Sequence, residues 1–455
     1  MKFGIFYEHQ LPRPWHADSE YQLIQDALEQ IEYADQIGID YAWEVEHHFL
    51  EEYSHSSAPE VFLAAASQRT QRIRLGHGIV QTPPPFNHPA RIAERIAMLD
   101  LVSNGRADFG TGESSSEAEL GGFMVDPVEK RAMWEEGLRV AVRCMTEEPF
   151  TGHSGAHVTM PPRNVVPKPR QKPHPPLWVA CSRRDTIHMA AQHAIGALAF
   201  AFVDPEEAKY WADDYYDTLA REGVPIGDAV NPNLACVTTF MCHDDEEVAI
   251  ERGLEGANFF GYSLAHYYVF GRHQPARTNV WEEFQARRAE QGFDPAAVAT
   301  PGAGPSRLGA KIEGQGVGGL RGAVGTPDQI REYLARYEEC GIDQVIFCFQ
   351  AGKNRHEHIM EALELFGRDV LPEFAERDDK LQRDKDQRLA PVIDAVMARK
   401  PLTDHPPLPT AEYTFPAMPR AMADRAGNDD FQRMLDDFEK QSAVGPGGIE
   451  GLFSR

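Results

Sequence analysis

Eight short runs of near-continuous apolar character recur along the chain, at residues 2–7, 41–46, 73–80, 106–110, 177–181, 196–202, 234–242 and 344–350, with helical periodicity between them. Strands that are apolar on both faces belong to parallel sheets covered by helices, and strict strand–helix alternation is how such sheets are built. Eight repeats predict a closed α/β fold, an eight-stranded (β/α)8 TIM barrel. An open, doubly wound sheet is the alternative. It would usually need fewer strands and would put a glycine fingerprint in the first strand-to-helix turn, which here runs from Glu8 to Asp18 without a glycine.

Local signals fit the alternation. Ser19 and Gln22 have capping-box spacing ahead of the first helical stretch, Gly38 closes it, and Thr326-Pro327-Asp328-Gln329 opens a late helix with proline at its first position. Two segments break the rhythm. Residues 261–325 are first aromatic (Tyr262, Tyr267, Tyr268, Phe270, Trp281, Phe284) and then glycine-rich, as expected of an insertion that covers a site before the last strand. Beyond Phe374 the chain turns charge-dense and then proline-rich. The expected division is a barrel over 1–374 and an extension over 375–455 outside it, either disordered or wrapped over a neighbouring subunit.

The formal charge of -25 argues against nucleic acid or an anionic membrane surface as partner. No window approaches the roughly 20 apolar residues of a membrane span, and the N-terminus opens on a strand-like run, so the expected location is cytoplasmic. The six cysteines lack metal-site or CxxC spacing and read as reduced and mostly buried. Cys181 alone falls at a strand end.

Barrel enzymes work at the C-terminal ends of their strands. The second run ends there in Glu46-His47-His48-Phe49, three adjacent groups that can move protons. The plain alternative is a buried strand followed by a polar loop. A metal site built from Glu46, His47 and His48 or His55 is disfavoured, because neighbours on a strand face opposite ways and no further ligand set follows, so no metal is expected.

Glu46-His47-His48-Phe49, His88-Pro89-Ala90-Arg91, Leu99-Asp100 with Ser103-Asn104-Gly105-Arg106 before Phe109-Gly110, Val324-Gly325-Thr326-Pro327 and the strand ending near Phe349, in that order, resemble the bacterial luciferase-like flavin-dependent monooxygenases. The resemblance runs from Lys2 to about Phe374 and implies a barrel that takes reduced FMN from a separate NAD(P)H:flavin reductase. With O2 as co-substrate, the family forms a C4a-hydroperoxyflavin and oxygenates a small organic molecule. It gives the acid–base role to His47, with Glu46 or His48 to orient it, and suggests a homodimer. It puts Gly78 and Ile79 under the flavin, at a bond that is often a non-prolyl cis peptide. The phosphate is expected at Cys181, Ser182, Arg183, Arg184 and Thr186, where a helix start offers free amides, and beside the loop containing Gly112 and Ser114.

The sequence departs from the family at that loop, where the phosphate-binding arginine is replaced by Glu113. Either Arg183 or Arg184 takes over, or the loop touches phosphate through amides and hydroxyls. A deazaflavin-dependent hydride-transfer oxidoreductase of the same superfamily is the alternative function, and a non-enzymatic flavoprotein is a further one. No nicotinamide-binding fingerprint is visible, which fits an external supply of reduced flavin.

Overall fold

The computed structural model describes residues 1–200, 203, 205–291, 322–401 and 406–442. Its principal strands are β1 (Lys2–Tyr7), β2 (Tyr41–Glu44), β3 (Arg74–His77), β4 (Ala107–Gly112), β5 (Leu177–Cys181), β6 (Gly196–Ala199), β7 (Leu234–Cys242) and β8 (Gln344–Cys348). Each pairs in parallel with the next and β8 pairs with β1, so the sheet closes into the expected barrel.

Local chemistry explains how the chain turns between strands. Gly38 ends the helix Ser19–Ile37 at φ +105°, a conformation that suits glycine. Thr326 and Gln329 form the expected reciprocal cap. The expected cap at Ser19 and Gln22 does not form: Ser19 is already the first helical residue, and its Oγ accepts from the His16 amide at 2.8 Å. Asp35 accepts the amides of Gln71, Arg72 and Ile73 at 2.7, 2.9 and 2.6 Å, fixing the entry to β3. The third run is not continuous. It divides into β3 and a two-residue strand, Val80–Gln81, that pairs with Thr111 and Gly112.

The division falls at Gly78-Ile79, and the bond there is trans: the cis bonds among the described residues all precede proline. Gly78 N–H donates to Glu44 O at 2.6 Å and Ile79 O accepts from Glu46 N–H at 2.9 Å. Both groups are satisfied by the neighbouring chain, and nothing in this pairing enforces a cis bond that costs on the order of 3 kcal/mol.

Alternation sorts the side chains between two cores. Phe3, Ile5 and Tyr7 pack outward against the helices, whereas Phe6, Trp43, Trp178, Val237 and Ile346 fill the barrel. The Trp43 and Trp178 rings meet nearly at right angles, 5.3 Å between centroids. Gly76 makes room for them, since a Cβ there would come within 2.3 Å of the Trp43 ring. Nearer the strand starts, Arg74 Nε pairs with Asp108 Oδ2 at 2.6 Å and Trp178 Nε1–H donates to Asp108 Oδ1 at 2.9 Å.

The boundary drawn at Phe374 falls inside the helix Leu371–Ala398, which stays on the barrel. Phe374, Leu389 and Val396 bury an apolar stripe within the charged stretch, Asp378 binds the N-terminal amine at 2.8 Å, and Lys385 binds Asp343 at 2.6 Å. The chain divides into a unit over Met1–His405 and a second over Pro406–Arg455. In the second, the helices Met418–Ala426 and Asp429–Ser442 are joined by Arg420 to Asp436 and Glu439, both at 2.7 Å. All six cysteines are free thiols, and all but Cys340 are buried. No helix among the described residues is long and apolar enough to cross a membrane.

Candidate active site

A cavity of about 700 Å³ opens over the C-terminal ends of the barrel strands. Strand alternation decides which residues reach it. β1 sends Phe6 inward and hence Glu8 just beyond its end. β2 sends Tyr41, Trp43 and Val45 inward and hence His47. Gly78, Gly112, Ser114 and Ser182 follow the same parity on β3, β4 and β5 and also line the cavity. Phe260, Leu264 and Tyr268, from the helix Glu246–Ala265 and the turn after it, wall the cavity with apolar surface. The expected insertion thus begins at the site, and its glycine-rich part, residues 292–321, lies outside the described residues.

His47 is clamped between two buried carboxylates. Its Nδ1 is 2.9 Å from Glu119 Oε1 and its Nε2 3.5 Å from Glu8 Oε2. Glu119 also accepts from the His48 amide at 3.0 Å and from the Ser114 hydroxyl at 2.6 Å, and Tyr53 O–H donates to Glu8 Oε1 at 2.9 Å. Burial alone would lower the His47 pKa, but the charges of Glu119 and Glu8 outweigh it and raise it to about 9. Burial pushes Glu8 up to about 7, against the opposing pull of His47 and Tyr53. Burial also opposes ionisation of Glu119, yet the His47 charge and hydrogen bonds from His47, Ser114 and His48 leave its pKa below the usual value. The charge on each of the three groups therefore shifts the titration of the other two. Near neutral pH the arrangement keeps His47 charged while Glu8 exchanges its proton, so the pair can both deliver and receive one.

The orienting groups of His47 are therefore Glu119 and Glu8, not Glu46 or His48. Glu46 faces the other way. It accepts from Gln81 N–H at 2.7 Å, from Asn87 Nδ2 at 2.8 Å and pairs with His48 Nε2 at 3.2 Å, tying β2 to the chain after β3 and acting on His47 only by its charge. His48 packs among Phe49, Phe86 and Phe123.

At the far wall Ser182, Arg183 and Thr186 line the cavity, whereas Cys181 and Arg184 do not. Cys181 has outward parity. Its Sγ is buried against Val179 O and Thr186 O, and burial pushes its pKa up to about 12. Arg184 is exposed and paired with Asp214 at 3.3 Å. Lys130 and Arg131, which the sequence reading missed, also line this wall. They start the helix Lys130–Thr146, beyond any strand-end motif. Glu8 was legible from parity alone. Glu119 was not, because the helix Glu117–Gly122 that carries it lies 71 residues or more from its partners His47 and His48.

Fold and site together define a barrel with a buried histidine–carboxylate cluster at its strand ends, beside a pocket sized for a cofactor or small molecule. The model of the luciferase-like monooxygenase family matches residues 1–344, and the chain belongs to that family. It is 25% identical over 390 residues, 83% of this chain and 96% of the relative, to the oxygenase component of the flavin-dependent trigonelline monooxygenase of Acinetobacter baylyi. Among solved structures it resembles monooxygenase RslO1 from Streptomyces bottropensis, with a TM-score of 0.63 and 25% identity over 82% of this chain and 100% of that one. The fold is also that of the coenzyme F420-dependent tetrahydromethanopterin reductase of Methanopyrus kandleri, with a TM-score of 0.55 and 21% identity over 82% of this chain and 99% of that one.

Proposed function

We propose that this chain is the oxygenase of a two-component flavin-dependent monooxygenase. It takes reduced FMN from a separate NAD(P)H:flavin reductase and uses dioxygen to oxygenate a small, largely apolar organic substrate. The observation that carries this reading is His47, held between Glu8 and Glu119 at the rim of a mainly apolar cavity of about 700 Å³. That volume is in the range of small-molecule sites.

When bound, the flavin would supply the electrons and the atom at which dioxygen is activated. The chain supplies the surroundings. Gly78, Ile79 and Gly112 line the part of the cavity that the flavin ring would occupy, and the absence of a side chain at Gly112 leaves room for Ile79. Phe260, Leu264 and Tyr268 exclude water, which protects a reactive intermediate. His47 Nε2 is the proton-carrying atom, and Glu8 restores its proton.

The test is single turnover of protein and photoreduced FMN with isotopically labelled dioxygen and a panel of apolar substrates. Label in the product, lost in His47→Ala, supports the reading. Product formation without oxygen would sink it. A deazaflavin-dependent hydride transfer is the second reading, since a charged histidine beside a proton-exchanging carboxylate would serve that reaction as well, and it predicts turnover under anaerobic conditions. A homodimer is also proposed. The adjacent helices Pro59–Ser67 and Pro89–Val102 expose Val61, Met98, Leu101 and Val102, apolar surface that a second copy would cover. A cytoplasmic location completes the reading.

A further inference from the structure

Glu51, Glu52 and Tyr53 form one short turn after β2, and their side chains reach in two directions. Glu52 is fully buried and accepts the first two amides of the helix Val280–Gln291, Val280 N–H at 2.6 Å and Trp281 N–H at 3.1 Å. A carboxylate there satisfies donors that have no partner within the helix and suits the helix dipole. It also accepts the Arg13 amide at 2.9 Å, so the insertion and the loop after β1 share one anchor. Glu51 accepts the Ala276 amide at 2.7 Å and pairs with His273 Nε2 at 3.1 Å and Arg13 Nη2 at 2.6 Å. Glu51 and Ala276 both have positive φ, +32° and +61°, a conformation that non-glycine residues hold where their surroundings enforce it.

Tyr53 turns the other way. Its hydroxyl donates to Glu8 Oε1 at 2.9 Å. Its buried ring meets His47 at 5.8 Å between centroids and, on the insertion side, Phe260, Tyr267 and Tyr268 at 5.6, 6.4 and 6.3 Å. The titratable groups around Glu8 are His47, Tyr53, Tyr268, Glu44, Glu119 and Cys348.

We propose that Tyr53 is a positioning residue: it passes the seating of the insertion on Glu51 and Glu52 to the Glu8 carboxylate opposite His47. While the insertion is seated, Tyr267 and Tyr268 pack the Tyr53 ring and fix where its hydroxyl points. Release of the insertion frees the ring, and the ionised form of Glu8 loses the hydrogen bond that favours it. This coupling rests on the acid–base reading of Glu8 and His47 for its catalytic use, yet it is a property of the ligand-free chain.

The test follows the carbon-labelled Glu8 carboxyl by NMR across pH in the whole, ligand-free chain, assigned by its absence in Glu8→Gln. Tyr53→Phe keeps the ring and removes the donor, so Glu8 should titrate about one pH unit higher, a 10-fold gain in proton affinity. Glu51→Ala should move Glu8 in the same direction, although removing a negative charge would by itself move it lower. It should also speed hydrogen exchange at the Ala276 amide. In the double variant the shift should equal that of Tyr53→Phe alone, because both changes remove the same contact. Glu8 unmoved in Tyr53→Phe, unmoved or lowered in Glu51→Ala, additive shifts in the double variant, or unchanged exchange at Ala276 each overturn the coupling. Neither flavin nor substrate enters the measurement, so failure of the oxygenase reading is seen separately, in the labelled-dioxygen assay.

Discussion

Replacing Glu8 by Gln keeps the side-chain shape and removes one of the two charges that hold the proton on His47. At 3.5 Å, a full charge pair is worth about 4–5 kcal/mol at an effective dielectric of 20. The observed balance is smaller because burial works against it: the rise of His47 from 6.5 to about 9 corresponds to about 3 kcal/mol net of desolvation. Glu119, at 2.9 Å, stays in place and keeps its share. Glu8→Gln should therefore lower the His47 pKa by one to two pH units, to roughly 7–8. The measurement is an NMR titration of the carbon-labelled His47 ring, assigned by its absence in His47→Ala, alongside the alkaline limb of the turnover profile. Both should move to lower pH together. An imidazole that still titrates near pH 9 in Glu8→Gln would show that Glu8 does not hold the proton on His47, and the proposed relay between them would fall.

Three more outcomes are expected. His47→Ala should retain the fold and flavin affinity yet lose product formation by about 100-fold, the scale for an acid–base group, in single-turnover assays. Because the His47 pKa is raised, its stabilisation is complete below about pH 6.5 and disappears as pH climbs through about 9; for Glu8 the window runs from about 4.5 to about 7. Urea midpoints should therefore fall from pH 6 to pH 9, and His47→Ala should flatten the part above 6.5. Glu46→Ala strands the donors of Gln81 and Asn87, so calorimetry should register a loss of about 2–4 kcal/mol, with the alkaline limb of turnover displaced far less than in Glu8→Gln.

The barrel was legible because its signal is repeated: eight apolar runs with helical spacing leave few other folds, and the closing pair of β1 with β8 follows from their number. The place of His47 at the cavity rim was legible as well. Its partners were misassigned because sequence adjacency was given more weight than strand alternation. Glu46 and His48 are its nearest neighbours in the chain, yet period-two geometry turns both away from the cavity, and the same rule sends Glu8 toward it. Glu119 and Arg131 lie beyond such rules. Each sits on a helix whose path from its strand is set by loop geometry, and its contact with the site is a tertiary event. Ser103, Asp100 and Arg106 show the reverse case. These motif residues do structural work, as Asp100 binds Gln171 at 2.8 Å and Arg106 caps the Ser67 and Ile73 carbonyls at 2.9 and 2.7 Å.

The polarity of the cavity bears on how an acidic protein can accept an anionic cofactor. The formal charge of -25 repels such a ligand at long range. Within the cavity the charges are unevenly placed: Glu8 and Glu119 surround His47 at the β1–β2 side, while Lys130, Arg131 and Arg183 outnumber Glu113 at the β4–β5 side. A molecule with a phosphate at one end and a proton-exchanging ring at the other has one favourable orientation in that field, and the reversed one would put phosphate against two carboxylates. Salt should therefore act in opposite directions on the two steps of binding. Screening eases the approach, since the long-range field is unfavourable, and weakens the final contact, since the local one is favourable. Stopped-flow association with reduced FMN should show an on-rate that rises with ionic strength and an off-rate that rises faster. A falling on-rate would mean that the basic wall, rather than the net charge, governs encounter.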